Sequence, residues 1–304
     1  MRRTRNRTGF TLIEMLVVIG IMLVIAGLIA LLMPNWAQRG RVNSAAVQVQ
    51  QWFLVAKQMA VLDQAPRGVR LLPDPNNPNL LTKLQYIKQP EDFAGGQIST
   101  FPGDTSVVQI ENVSLDLFGG NPSNPNVWLI QPGDHVQIGG SGMVRQIKPL
   151  NPADPTYSSI IRSGGKYSLD LKSPFIYPVD PPTSAFKIIR GPRIMGEEAL
   201  DLANDIAIDL STNDKPYAAS YGGSITRNGN NSTDPVDIMF APNGAVMGNW
   251  SRPKIIFWVR DTTFDTEFEG DPSLVVIYTR TGLIDSFEID ERTINRNDPF
   301  SIVD

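Results

Sequence analysis

An α+β architecture is expected for this chain of 304 residues: a long N-terminal helix, transmembrane in its first half, packed on a globular head rich in antiparallel β-sheet. Three features point there. Residues 15–33 form an unbroken apolar run, MLVVIGIMLVIAGLIALLM. Apolar residues then recur at spacings of three and four from Val42 to Ala60, the stripe of an amphipathic helix. Beyond residue 65, short stretches alternate in period two between turn-forming residues. The 25 Gly and 24 Pro exceed the usual share and demand many turns.

The apolar run comes first. As a helix at ~1.5 Å per residue it spans roughly 28 Å, close to the hydrocarbon thickness of a bilayer. Four arginines precede it (Arg2, Arg3, Arg5, Arg7), with no acid among residues 1–9. The positive-inside rule then keeps the N-terminus in the cytoplasm and sends the rest outside. A cleavable secretory signal has a shorter apolar core and a small-residue cleavage site. The following MPNWAQRG offers no such site. A plain signal anchor accounts for everything except Glu14 and the Gly9–Phe10 junction. An acid in lipid costs about 2.5–3.5 kcal/mol on insertion scales, and such groups usually have a partner. No Lys, Arg or His lies within the run to supply one. A cut nearby would supply one, as a new amine.

The stretch GFTLIEMLVVIGIMLVIAGLIALLMP, from Gly9 to Pro34, resembles the N-terminal signature of type IV pilins and type II secretion pseudopilins. The resemblance implies a structural filament subunit with no enzymatic role. It implies that prepilin peptidase cuts between Gly9 and Phe10 and methylates the Phe10 amine. It also implies that Glu14 pairs with the amine of a neighbouring subunit in a helical filament. The chemistry suits this: two buried opposite charges attract strongly where one alone is heavily penalised. The expected organisation is a basic leader (1–9), a transmembrane helix (10–34) in the bacterial inner membrane, an amphipathic helix (35–64) and a head (65–304). The head would lie in the periplasm or elsewhere outside the cytoplasm.

Pro34 can kink the helix without ending it. Past it, Val42, Ala45, Ala46, Val49, Trp52, Phe53, Ala56, Met59 and Ala60 form one stripe, read as a surface for a sheet. Pro66 should stop the helix near Asp63. Strands are expected at 68–72, 84–87, 106–110, 135–138, 143–147, 167–171, 186–189, 206–210, 236–240, 255–260, 274–279 and 283–289. Residues 241–245 (APNGA) and 280–283 (RTGL) read as tight turns. Residues 73–156 hold 11 of the 24 prolines and read as loops or an irregular insertion. Residues 197–205 (EEALDLAND) read as a short helix before a strand.

A narrower resemblance follows. The stretch from Arg41 to Asp74, IMFAPNGAV and VVIYTRTGLIDSF are similar to the minor pseudopilin family called GspH or FimT. Lys57 stands where that family usually has Arg. The head is also larger than is usual there.

No catalytic constellation is found. The chain has no Cys and a single histidine, His135, which argues against a Ser-His-Asp triad and His-rich metal sites. His135 reads as a structural residue opening a strand. Asp201, Asp205 and Asp209, spaced by four, read as a solvated helix face. No D-x-D-x-D-G loop supports calcium, and no metal or cofactor is expected. GGSG (139–142) and GGK (164–166) read as turns rather than phosphate loops. Residues 10–304 hold 23 basic and 31 acidic residues, a net charge of −8. That balance disfavours nucleic acid, which a concentrated basic patch would favour. The alternative class is a pilus-tip module capturing DNA or another ligand.

Overall fold

The computed structural model describes residues 11–139, 143–149, 159–214, 225, 227–228, 233–248, 253–290 and 294–303. Helix α1 spans Leu12–Leu62. Thr11 is its N-cap in an extended conformation, and Asp63 closes it by donating its N–H to the Met59 carbonyl at 2.9 Å. Asp63 is where the downstream Pro66 predicts the end. The backbone stays helical through Pro34. Within the second half, Val42, Ala45, Ala46, Val49, Phe53, Ala56 and Ala60 are buried. Trp52 and Met59, on the margin of the stripe, are half-buried.

The chain divides into two compact units, the described parts of Met1–Tyr86 with Gly196–Asp304, and Ile87–Met195. The first holds α1 and the strands β1 (Arg67–Pro73), β2 (Leu80–Lys88), β10 (Arg193–Asp201), β11 (Ile206–Asp209), β12 (Val236–Phe240), β13 (Lys254–Asp261), β14 (Ser273–Tyr278) and β15 (Leu283–Glu288). β2 and β10 run a few residues across the boundary. Their sheet has the order β12-β1-β2-β11-β13-β14-β15, and β10 also pairs with β2. The α1 stripe packs on β1, β12, β13, β14 and β15. Phe53 stacks on Phe257 with ring centroids 5.5 Å apart. The opposite face of β13 and β14 is also covered. Ile256, Trp258, Leu274 and Val276 form a buried cluster with Ile289, Phe300 and Val303 of the C-terminal segment. Covering on both faces explains why β13 and β14 read as continuous apolar runs rather than alternating ones.

The second unit holds β3 (Gln97–Phe101), β4 (Asp104–Glu111), β5 (His135–Ile138), β6 (Val144–Gln146), β7 (Ile160–Ser163), β8 (Lys166–Asp170) and β9 (Phe186–Ile189). Its sheets have the orders β3-β4-β8-β7 and β6-β5-β9. Single bridges join them on two sides: Phe93 with Ile188 and Ile98 with Thr183, and Ile147 with Leu171. The two sheets share one apolar core that includes Ile98, Ile110, Trp128, Val136, Leu169 and Ile188. The irregular stretch read at 73–156 overlaps this unit. Most of its described prolines and glycines lie between short strands that bury one shared core. β3 and β7 escape sequence reading because QISTF and IIRS are short and half polar.

One expectation is overturned outright. Residues 197–205 do not form a helix. Up to Asp201 they belong to β10, paired with β2. Glu, Ala and Leu favour helices only weakly, and cross-strand pairing overrides that preference. The turns hold: the Ala241 carbonyl accepts the Gly244 N–H at 2.8 Å, and the Tyr278 carbonyl accepts the Gly282 N–H at 2.7 Å. Gly164 and Gly165 turn the β7–β8 hairpin. His135 opens β5, opposite Gln146 and Ile189. Gly139 lies in a turn, and residues 140–142 of GGSG lie outside the described residues.

Candidate functional site

The first turns of α1 hold the residues singled out from sequence. Glu14 and Thr11 form a reciprocal capping box. The Thr11 N–H and hydroxyl each donate to Glu14 Oε2 at 2.9 Å, and the Glu14 N–H donates to Thr11 Oγ1 at 3.3 Å. Such a cap is worth about 0.5–2 kcal/mol, and an acid there also meets the positive end of the helix dipole. Both contacts use one carboxylate oxygen. Among the described residues Oε1 is left without a hydrogen-bond partner. Gly9 and Phe10, the other predicted processing residues, lie outside the described residues.

Behind this cap, Leu12–Ile29 is long and apolar enough to cross a membrane, and none of it is buried inside the protein. Large side chains such as Leu12, Leu16, Met22 and Leu23 are more than half exposed. In water such a surface is strongly unfavourable, so this half requires lipid or other apolar helices around it. Glu14 is the sole charged side chain in this stretch.

Residues 4–30 match a known family model. It is the prokaryotic N-terminal methylation motif. The match covers 27 of 304 residues and stops before the head begins. It supports a pilin-type structural subunit, anchored by one N-terminal helix, with prepilin peptidase and other pilins as the implied partners. No curated protein and no solved structure matches the chain.

The second half of α1 joins the head through polar contacts that the sequence does not announce as such, though Lys57 and Asp205 stand out in it for other reasons. Arg41 Nη2 reaches both oxygens of Asp205 at 2.5 Å. That hydrogen bond, opposed by slight desolvation, holds the Asp205 carboxyl below its usual range. Gln50 and Lys57 both reach the β14–β15 hairpin. The signal available in the sequence is their spacing of seven, which puts them on one side of the helix.

The three aspartates read as one helix face are separated by the fold. Asp201 pairs with Lys83 at 3.1 Å, Asp205 with Arg41, and Asp209, buried, with Arg260 at 2.7 Å. Each carboxylate has its own cation, and among the described residues no three potential metal ligands converge. In the second unit, Asp116 is held below the usual carboxylate range. The Tyr167 hydroxyl is the first cause, followed by the N–H groups of Phe118 and Gly120. Arg162 lies 5.3 Å from the centroid of the Tyr167 ring. These contacts brace the β7–β8 side of the second unit beside its buried Trp128 and Phe118.

Proposed function

We propose that the chain is a minor pseudopilin or pilin of the GspH or FimT type, in a type II secretion or type IV pilus filament. Prepilin peptidase cuts it between Gly9 and Phe10 and methylates the new amine of Phe10. The N-terminus faces the cytoplasm, the helix crosses the inner membrane near residues 10–34, and the head lies beyond it. In the filament Glu14 meets the Phe10 amine of a neighbouring subunit, and Pro34 permits a bend between the two halves of α1. The observation that carries this reading is a single helix with two contrasting halves. The first is fully exposed and apolar behind one capped acid, and the second is packed on a sheet. Glu14 Oε1, which no described residue bonds, gives a neighbouring amine an acceptor while Oε2 keeps the cap. An ion pair in low dielectric is strong when both charges are present and costly when one is missing. Subunits would therefore settle at one axial stagger.

Mass spectrometry of the mature protein tests this reading. A methylated Phe10 N-terminus is expected in cells with the peptidase. An uncut Met1 or Arg2 terminus in those cells would count against it.

The second reading, a pilus-tip module that captures DNA or another ligand, draws support from the extra compact unit Ile87–Met195. That stretch holds nine basic and nine acidic residues, whereas the rest of residues 10–304 holds 14 and 22. This charge balance speaks against DNA and leaves an uncharged ligand as the better candidate. Tight, salt-sensitive DNA binding in a gel shift would reverse that preference.

A further inference from the structure

We propose that Gln50 and Lys57 form a polar seam that sets the axial register of α1 on the head. The inference stands on contacts within the first unit and does not depend on the filament reading. Much of the buried stripe of α1 is smooth. Four of its members, Ala45, Ala46, Ala56 and Ala60, are alanines. Helices pack in register by fitting ridges into grooves, and alanine ridges are low. The largest of the buried knobs is Phe53 against Phe257. Burial of such a stripe holds the helix down but distinguishes weakly between neighbouring positions along it.

The seam supplies that distinction. Gln50 and Lys57 are seven residues apart, two turns, and so stand almost in line on the helix. Gln50 Nε2 donates to the Ile284 carbonyl at 3.0 Å, and Gln50 Oε1 accepts from Ser286 Oγ at 3.0 Å. β15 is the terminal strand of its sheet, paired with β14 alone. Its residues 284 and 286 alternate with those bonded to β14, so Gln50 occupies part of the edge a further strand would use. Lys57 Nζ donates to the carbonyls of Gly282 at 2.9 Å and Thr281 at 3.3 Å.

The second contact lies in a crowded junction. Gly282 has φ +60°, and a Cβ there would fall 1.9 Å from the Gly244 carbonyl oxygen. Gly244 has φ +83°, and its Cβ would fall 2.9 Å from Lys57 Cε. The two turns and the lysine stem therefore touch in a way only glycines allow. Three of the four seam acceptors or donors on the head are backbone carbonyls, whose positions follow from the β14–β15 hairpin. A slide of α1 along its axis by one turn, ~5.4 Å, keeps the apolar stripe on the sheet, and both sets of bonds are lost together.

The chain has no cysteine, so a pair of introduced cysteines can carry spin labels on the full chain in detergent micelles. Labels at Gln48→Cys and Glu288→Cys, both on exposed positions, should give one narrow distance distribution. The added pair Gln50→Leu with Lys57→Met keeps side-chain length and removes the polar contacts. It should produce a second distance population, with hydrogen exchange of amides 281–286 about tenfold faster and exchange in β1 and β12 unchanged. Lys57→Arg alone should restore the single distance, and Gln58→Leu on the exposed side of the same turn should leave it intact. A single narrow distance in the Gln50→Leu/Lys57→Met variant overturns the proposal. So does an equal loss of protection across the whole sheet, which would mark the contacts as general stabilisers. A variant with slipped register in a chain that never enters a filament would uphold the seam and count against the filament reading.

Discussion

The two halves of α1 are built from the same apolar residue types and do opposite things with them. From Leu12 to Ile29 the large apolar side chains are exposed on all sides, and none is buried against the described residues. From Val42 to Ala60 they converge on one stripe and disappear against a sheet. Each half also carries few polar groups that bear on its neighbour: Glu14 in the first, and Arg41, Gln50 and Lys57 beside the stripe of the second. Apolar contact supplies the attraction in both. It is nearly indifferent to position along the axis, so the placement of the few polar groups decides where neighbours stop. In the second half the neighbour is the head of the same chain. In the first half, on the proposed reading, it is another subunit.

Removing the polar group of the first half should separate assembly from folding most sharply. Glu14→Ala is expected to lower recovery of the protein in sheared filaments at least tenfold, while the melting temperature of the head stays unchanged. Equal recovery would remove Glu14 from the assembly mechanism. The reverse test is Phe53→Ala in the second half. A fully buried phenylalanine truncated to alanine costs about 3–5 kcal/mol. Thermal melting in detergent should show that loss, and Leu23→Ala in the first half should not. Gly282→Ala is expected to destabilise by more than about 1 kcal/mol, since the new methyl group meets a carbonyl at a positive φ.

The smallest effect concerns acid. The folded carboxyl of Asp205 titrates below its ordinary value because Arg41 bonds it. Its contribution is therefore fully present above the unfolded value, about pH 3.9, and is lost as pH falls through the folded value. Both side chains are partly exposed, at 48% and 24%, so the loss should be a few tenths of a kcal/mol. Asp205→Asn should flatten the acid limb of a pH–stability curve by that amount. A steeper limb in the variant would contradict the assignment.

Much of the fold is legible in the residues. The end of α1, the stripe from Val42 to Ala60, and strands such as β5, β9 and β12 follow from period and punctuation. β10 is misread because EEAL carries helix-forming residues, and what decides its state is a partner strand over a hundred residues away. The second unit is obscured because its prolines and glycines dominate its composition while its core is scattered over short segments. Glu14 stands out because a charge in an apolar run has few explanations. Gln50 does not, and Lys57 does so only as a substitute for Arg, because polar residues on a half-exposed helix are ordinary until their acceptors are known. Those acceptors are backbone carbonyls, which look alike in any sequence.

The pairing of β2 with β10 has one more consequence. Leu202 donates its N–H to the Thr82 carbonyl at 2.9 Å, so the chain departs for its second unit and comes back along adjacent rails. Such a port lets a lineage exchange the cargo between 87 and 195 for a short turn, or for a different module, while the anchoring helix and its sheet are left as they are.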